Sequence, residues 1–441
     1  MIENNSEIIL NGPLNYIKLY CESTNQELYL FMDNHMNITK QKKCSDYDAK
    51  DIDKYLYKIL SDQSNQTNQI EPLDFFLEIN PTDIIKDNMP HSNDNYISET
   101  RKMFRKIYKE QQINKSHNIR LHYIDVRDYS YFNELIIIMI NIINDVEQSK
   151  LLNIQFIINE LKHIGSKLVF INSSVEYIKK NKNINIDKFD MVKFKIISKN
   201  DNNDNNNKNN NNNDGNNNLN QKIGFQQLLL KILTKYSNPD NKKNIIDFFD
   251  SKYTYESNEA IRIIKELLLN LEEIHKIIEY QSNNGVLNIE KIVINEKKNI
   301  VHNITYYGVS EHKYTKYTRI VYDELIKLYI LLLKLGTVFM DSFFLRRLIE
   351  KKYIKKSIIY TGGYHTVVYI WFLMKFYNFI ITDYHFINTE KIEIKNNEIE
   401  KIEEINVKIK NMIDKLTNPN DLFEIFMPKN FNQCVKIKNI N

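Results

Sequence analysis

Glycine and proline are scarce in this chain, at 9 and 7 of 441 residues, and cysteine is scarcer still, with Cys21, Cys44 and Cys434 only. No two of the cysteines stand at a metal-ligand spacing, and so sparse and odd a count sets up no disulfide framework. A reducing compartment is the expectation that follows. Charge of one sign is also lacking: 60 basic against 56 acidic residues leave a net +4, too balanced for a nucleic-acid partner. Met1 to Leu10 has no apolar core of the signal-peptide kind. The apolar runs Leu135–Ile143 and Leu328–Met340 fall short of the roughly 20 residues a membrane span needs. Thr366–Ile381 is interrupted by Lys375 and Asn378, so no membrane span is expected. Catalytic signatures are missing too: there is no G-x-S-x-G elbow, H-E-x-x-H helix, P-loop or G-x-G-x-x-G turn.

What is present is a chain of 52.8 kDa rich in Ile, Asn, Lys and Tyr, a bias that reads as the mark of an AT-rich genome. Residues 201–220 are a low-complexity tract in which 14 of 20 are Asn. Such a segment has little to bury and is expected to be a disordered loop; Ser61–Gln69 is a second polar loop by the same criterion. Before the tract, Leu28–Asp33, Asp74–Ile79, Arg120–Val126 and Lys167–Ile171 are short apolar runs of buried-strand type. Tyr131–Glu147 and Leu151–Ile164 read as helices, the second closed by Gly165 as its C′ residue. After the tract, Phe225–Tyr236, Glu256–Tyr280 and Tyr322–Lys351 carry helical spacing. Glu290–Tyr307 reads as a hairpin. Ser357–Tyr360, Thr366–Tyr377 and Phe379–Thr382 read as a β-α-β unit with a right-handed crossover. The expected fold is α/β, a mostly parallel central sheet shared by both halves, with helices on its faces and a helical insertion. The expected organisation is 1–200 as the N-terminal part of that domain, 201–222 as the Asn-rich loop, 223–350 as a helical subdomain, 351–385 as the C-terminal β-α-β part and 386–441 as an appendage.

Polar residues collect where these strands end, which is where a parallel sheet presents functional groups. Asp33 and His35 follow the first strand, Glu78 the second, Asp125, Arg127 and Asp128 the third. His365 follows a strand and the pair Gly362-Gly363, and Asp383 and His385 follow the last strand. Histidine titrates near neutrality and serves as acid, base or metal ligand. The alternative for each is structural: a histidine bonded to backbone at a strand end, a helix cap at His365, an ion pair at a helix start for Asp125 and Arg127. A carboxylate at Glu78 is costly unless paired, and Arg127 is the candidate partner. Gly362 and Gly363 would let the backbone turn sharply, approach a ligand, or offer amides to an anion. Met340–Arg347 lies on a long helix, most simply as a solvated or salt-bridged face.

Taken together, Leu10-Asn11-Gly12-Pro13, Tyr29 to His35, Met340 to Arg347 and Tyr360-Thr361-Gly362-Gly363-Tyr364-His365 resemble a group of uncharacterised proteins from mimivirus-like giant viruses. The strand-end acidic-x-His, Glu and Gly-x-x-His pattern is also similar, more distantly, to the erythromycin esterase-like, ChaN-like and TIKI/TraB α/β group. That likeness implies a hydrolase, a metal-dependent protease or a haem binder, with His35, Glu78 and His365 as site residues. This chain has Asp33-Asn34-His35 where that group often has Gly-Glu-x-x-His.

The leading expectation is a histidine- or metal-dependent hydrolase. Its catalytic residues are His35, Glu78, His365, Asp33 and Arg127, with Gly362 and Gly363 in the binding turn. A divalent metal on His35 and His365 is the cofactor candidate, and a small molecule or a protein the partner. The competing expectation is a non-enzymatic virion-associated or interaction protein, suggested by 28 Tyr and 22 Phe, which suit interfaces. Host cytoplasm or virion is the expected location.

Overall fold

The computed structural model describes residues 7–35, 42–44, 46–65, 71–85, 96–114, 118–148, 153–180, 214–283, 316–392, 402–416, 418–429, 432–438 and 440. The chain divides into two compact units, residues 1–126 with 343–441, and residues 127–342. The first unit begins with β1 (Glu7–Asn11), β2 (Asn15–Cys21), β3 (Gln26–Asp33), β4 (Lys42–Lys43) and β5 (Lys50–Asp51). It continues through α1 (Ile52–Asn65), β6 (Leu73–Leu77), α2 (Pro81–Ile85), α3 (Tyr96–Asn114) and β7 (Ile119–Tyr123). Among the described residues the second unit is helical: α4 (Phe132–Gln148), α5 (Ile154–Lys180), α6 (Asp214–Leu233), α7 (Pro239–Asn283) and most of α8 (Lys316–Glu350). The first unit then resumes with β8 (Lys356–Gly362), α9 (Gly363–Tyr377), β9 (Ile380–Tyr384), α10 (Ile402–Lys415), α11 (Phe423–Phe426) and β10 (Asn432–Lys438).

The larger sheet runs β7-β6-β8-β3-β2-β9. Strands β7, β6, β8 and β3 are parallel neighbours, while β2 is antiparallel to both β3 and β9. The α/β class and a mostly parallel sheet drawing strands from both sides of the Asn-rich tract are therefore present. Three of the four expected early strands form. Strand β2 completes a β2-β3 hairpin that the sequence reading does not contain. Strand β9 runs parallel to β8 and lies beyond β3 and β2, so α9 carries the chain across two intervening strands. A smaller sheet, β4-β10-β1-β5, joins the first and last strands of the chain.

Alternation along the buried strands gives the larger sheet two apolar faces. On one face Leu73, Phe75, Leu77, Ile358, Tyr360, Tyr29, Phe31 and Tyr16 form one core with Leu56 and Leu60 of α1, Phe104 and Ile107 of α3 and Val435 and Ile437 of β10. On the other, Phe76 meets Phe344 edge-on with ring centres 5.2 Å apart, and Phe344 meets Tyr369 of α9 at 4.2 Å. Helix α9 is buried along nearly its whole length.

Several expectations are corrected. Lys167–Ile171 is not a strand: it lies inside α5, where Leu161, Ile164, Leu168, Ile171, Val175 and Ile178 are buried at helical spacing. Gly165 is mid-helix rather than a cap, and a Cβ there would stand 3.4 Å from Ile264 of α7. Residues 61–65 are the last turn of α1. Helix α6 begins at Asp214, inside the Asn-rich tract. The hairpin at Glu290–Tyr307 lies outside the described residues, as do residues 201–213. Val321–Glu350 within α8 is long and apolar enough to cross a membrane, and most of that stretch is buried inside the molecule. Finally, Cys44 and Cys434 are joined in a disulfide with Cα atoms 5.0 Å apart. The pairing of β4 with β10 aligns Lys43 with Gln433 and brings the two cysteines, next along their strands, into range. A separation of 390 residues left no trace of this in the spacing.

Candidate functional site

Strands β6, β8 and β3 are adjacent and parallel, so their carboxyl ends share one edge of the sheet. In register, Asp33 of β3 stands opposite Gly362 of β8, and Leu77 of β6 opposite Tyr360. Glu78 follows Leu77, and its amide still bonds to the Tyr360 carbonyl at 3.2 Å. The strand-end residues expected from three distant segments therefore meet for a topological reason.

Asp33 and Glu78 are both buried. His35 stands between them with a side chain 40% exposed. Its Nδ1 is 3.0 Å from Asp33 Oδ2 and its Nε2 is 3.3 Å from Glu78 Oε2. Local backbone geometry makes this possible. His35 has φ of 49°, in the left-handed region, and its amide donates to Asp33 Oδ2 at 2.7 Å. That side-chain-to-amide turn is a habit of Asp, and it folds the ring back over the carboxylate that caps it.

Each carboxylate has a second donor. The Tyr360 hydroxyl donates to Asp33 Oδ1 at 2.9 Å, and the Gly362 amide donates to Glu78 Oε2 at 3.0 Å. Buried charge is tolerated when paired and hydrogen-bonded in this way. The Arg101 Nε also donates to the Glu78 carbonyl at 2.6 Å. Tyr360 is fully buried, and burial, followed by the charge of Asp33, pushes its hydroxyl pKa well above the ordinary value. It stays a neutral donor.

Burial opposes a charge on the His35 ring, and is outweighed by the charge of Glu78 and by hydrogen bonds to Asp33 and Glu78. The net result raises its pKa from 6.5 to about 10. His35 is thus an imidazolium at neutral pH, with both N–H groups directed at carboxylates.

The other expected site residues have different settings. His365 is in the first turn of α9, 7% exposed, its ring 6.3 Å from that of Tyr369; it is a packed residue rather than an open turn histidine. Arg127 opens the helical unit, where its carbonyl accepts the Ser130 amide and hydroxyl at 3.2 and 3.0 Å. Its side-chain carbons lie 3.4 Å from where a Cβ on Gly336 would be. His385 Nδ1 accepts the Lys436 amide at 3.1 Å, and the His385 amide donates to the Tyr16 carbonyl at 2.9 Å; it bonds to backbone. Burial, then Lys436, lowers its pKa.

Gly362 has ordinary angles, φ −58° and ψ 149°, so sharp turning is not its purpose. A Cβ there would meet His35 Nε2 at 2.9 Å, and one on Gly363 would meet Met427 Sδ at 2.7 Å. The two glycines admit His35 and Met427, both groups of this chain. Among the described residues no group of three His, Cys, Asp or Glu side chains is placed to hold an ion.

A second buried cluster escaped the sequence reading. Asp74, on the opposite face of β6 from Leu73 and Phe75, accepts two bonds from Arg120 at 2.8 and 2.6 Å and lies 2.6 Å from His122 Nε2. His122 stacks on Phe76 with ring centres 4.4 Å apart, and burial lowers its pKa. Opposite charges at i and i+46 on neighbouring strands were the available signal.

Comparison with known proteins gives relatives of similar length. The chain is 27% identical over 465 residues to uncharacterized protein R706 of Acanthamoeba polyphaga mimivirus, covering 98% of this chain and 96% of that one. It is 28% identical over 454 residues to uncharacterized protein R161 of the same virus, with the same coverage. No solved structure matches. Nothing in these matches supports the more distant likeness to the erythromycin esterase-like, ChaN-like and TIKI/TraB group. Residues 8–441 match the family of unknown function DUF5847, and the chain belongs to that family.

Proposed function

We propose that Asp33, His35 and Glu78 form the acid–base centre of a hydrolase. The observation that carries this reading is a half-open imidazole ring held between two buried carboxylates at the carboxyl ends of three adjacent parallel strands. Asp33 fixes the ring through Nδ1 and supports its charge, the role of an orienting carboxylate. A substrate entering on the exposed side of His35 takes the Nε2 proton from its contact with Glu78. Glu78, released, accepts a proton from water. The water oxygen bonds to the electrophilic centre, the bond to the leaving group breaks, and Nε2–H protonates that group. The proton on Glu78 then passes to Nε2 across the 3.3 Å gap, restoring the site. The net change is the addition of one water across an ester- or amide-type bond.

A second reading, a structural clamp in a non-enzymatic virion-associated protein, is favoured by the Cys44–Cys434 bond, because disulfides persist in oxidising settings that include virus particles. Turnover of a panel of chromogenic carboxylic esters, phosphoesters and anilides by the full chain decides between them. Activity that falls about 100-fold or more in Glu78→Gln and His35→Gln, with folding retained, is expected for general acid–base catalysis. No turnover of any panel member, or equal turnover in the variants, overturns the hydrolase reading.

A further inference from the structure

We propose that the Cys44–Cys434 disulfide is a reversible redox latch that holds β4. Both cysteines are half-buried, so a thiol reagent can reach the bond. The two sides of the latch are anchored very unequally. Strand β10 is secured independently: it pairs with β1 over five residues, Val435 and Ile437 are buried in the core, and the Ile440 amide donates to the Tyr55 hydroxyl at 3.3 Å. Strand β4 is two residues long and, among the described residues, pairs at Lys42 and Lys43. Beyond the disulfide, Cys44 is held by its amide donating to Asn11 Oδ1 at 3.1 Å and by Sγ lying 3.8 Å from the Leu10 carbonyl. Cutting the bond therefore releases β4 while β10 stays.

The chemistry is thiol–disulfide exchange with a dithiol. One reagent thiolate attacks a sulfur of the pair and forms a mixed disulfide; the second displaces it and leaves as a cyclic disulfide. Two electrons and two protons move from the reagent to Cys44 and Cys434, which end as thiols. Cys44 is the ninth residue after His35, and β4 is the next described element after β3 and the strand-end cluster. Only the coupling of the latch to a working site rests on the hydrolase reading.

Hydrogen exchange of the full chain tests this, with and without dithiothreitol and in Cys44→Ser. Reduction is expected to speed exchange of amides 42–44 by about tenfold or more, while 26–33, 356–362 and 434–438 change little. Cys44→Ser is expected to show the same pattern without reagent. Oxidised glutathione is expected to restore wild-type protection. The ring resonances of His35 are expected to move on reduction. Unchanged exchange at 42–44, or loss of protection across the whole first unit, overturns the latch, as does alkylation of Cys44 and Cys434, beyond the free Cys21, in denatured protein purified without reductant. Unmoved His35 resonances overturn its coupling to the site. Exchange and resonance readouts do not depend on turnover, so an inactive protein leaves the result interpretable.

Discussion

A methyl group on Gly362 would sit 2.9 Å from His35 Nε2, closer than packed atoms allow, and the ring it meets is tied to Asp33 and Glu78. Gly362→Ala is therefore expected to push the imidazole off Glu78, at about 1–2 kcal/mol of stability, and to lower the His35 pKa; thermal melts and ring NMR check both effects. At His365 the expectation reverses the one its sequence context suggests. A histidine after two glycines looks dispensable to the core, but the ring is buried beside Tyr369. His365→Ala should cost about 2 kcal/mol through lost packing and leave the His35 titration unchanged. A shifted His35 titration would place His365 in the cluster after all. Asp33, His35, Glu78 and Gly362 were legible because each ends an apolar run. Tyr360 as the Asp33 donor was not, since a hydroxyl inside a buried strand gives no sign of the strand beside it.

Among the elements, the strands missed by sequence reading share a physical cause. Strand β2 carries Lys18 among its apolar residues, which disguises its burial. Strands β10 and β1 are the inner pair of the small sheet and β4 and β5 its two-residue edges, and the pairing of all four is set by partners far along the chain. In α5 the run Leu168-Val169-Phe170-Ile171 has a strand's composition, and its helical period shows only over the wider span from Ile154 to Ile178. Asn15, at the start of β2, illustrates how the late segments are attached. Its side-chain amide donates to the carbonyls of Phe386 at 2.9 Å and Phe426 at 2.6 Å. Its oxygen accepts the Phe386 amide at 2.9 Å. Asn15→Ala would strand several backbone groups inside the fold and is expected to cost about 2–4 kcal/mol. Chemical denaturation measures it; a loss below about 0.5 kcal/mol would show that water replaces the bonds.

For the whole molecule, the raised pKa of His35 links the site to stability. Its ionised form is favoured by folding, because the folded pKa is about 10 against 6.5 for the free group. The contribution is complete below about pH 6.5 and is lost as pH rises through about 10. With the ring 40% exposed, solvent screening reduces it to about 1–2 kcal/mol. Urea unfolding at about pH 7 and pH 10 is expected to show that loss in the wild type and to show less of it in His35→Gln. Other groups titrate over the same range, so the difference between the two proteins carries the information.

The most direct measurement on the central claim is an NMR titration of the His35 ring nitrogens from about pH 5 to 11. A His35 held as an imidazolium between two carboxylates keeps both N–H signals through neutrality. It titrates near 10 and moves back toward 6.5 in Glu78→Gln. A wild-type titration close to 6.5, unaltered by Glu78→Gln, would contradict the acid–base site.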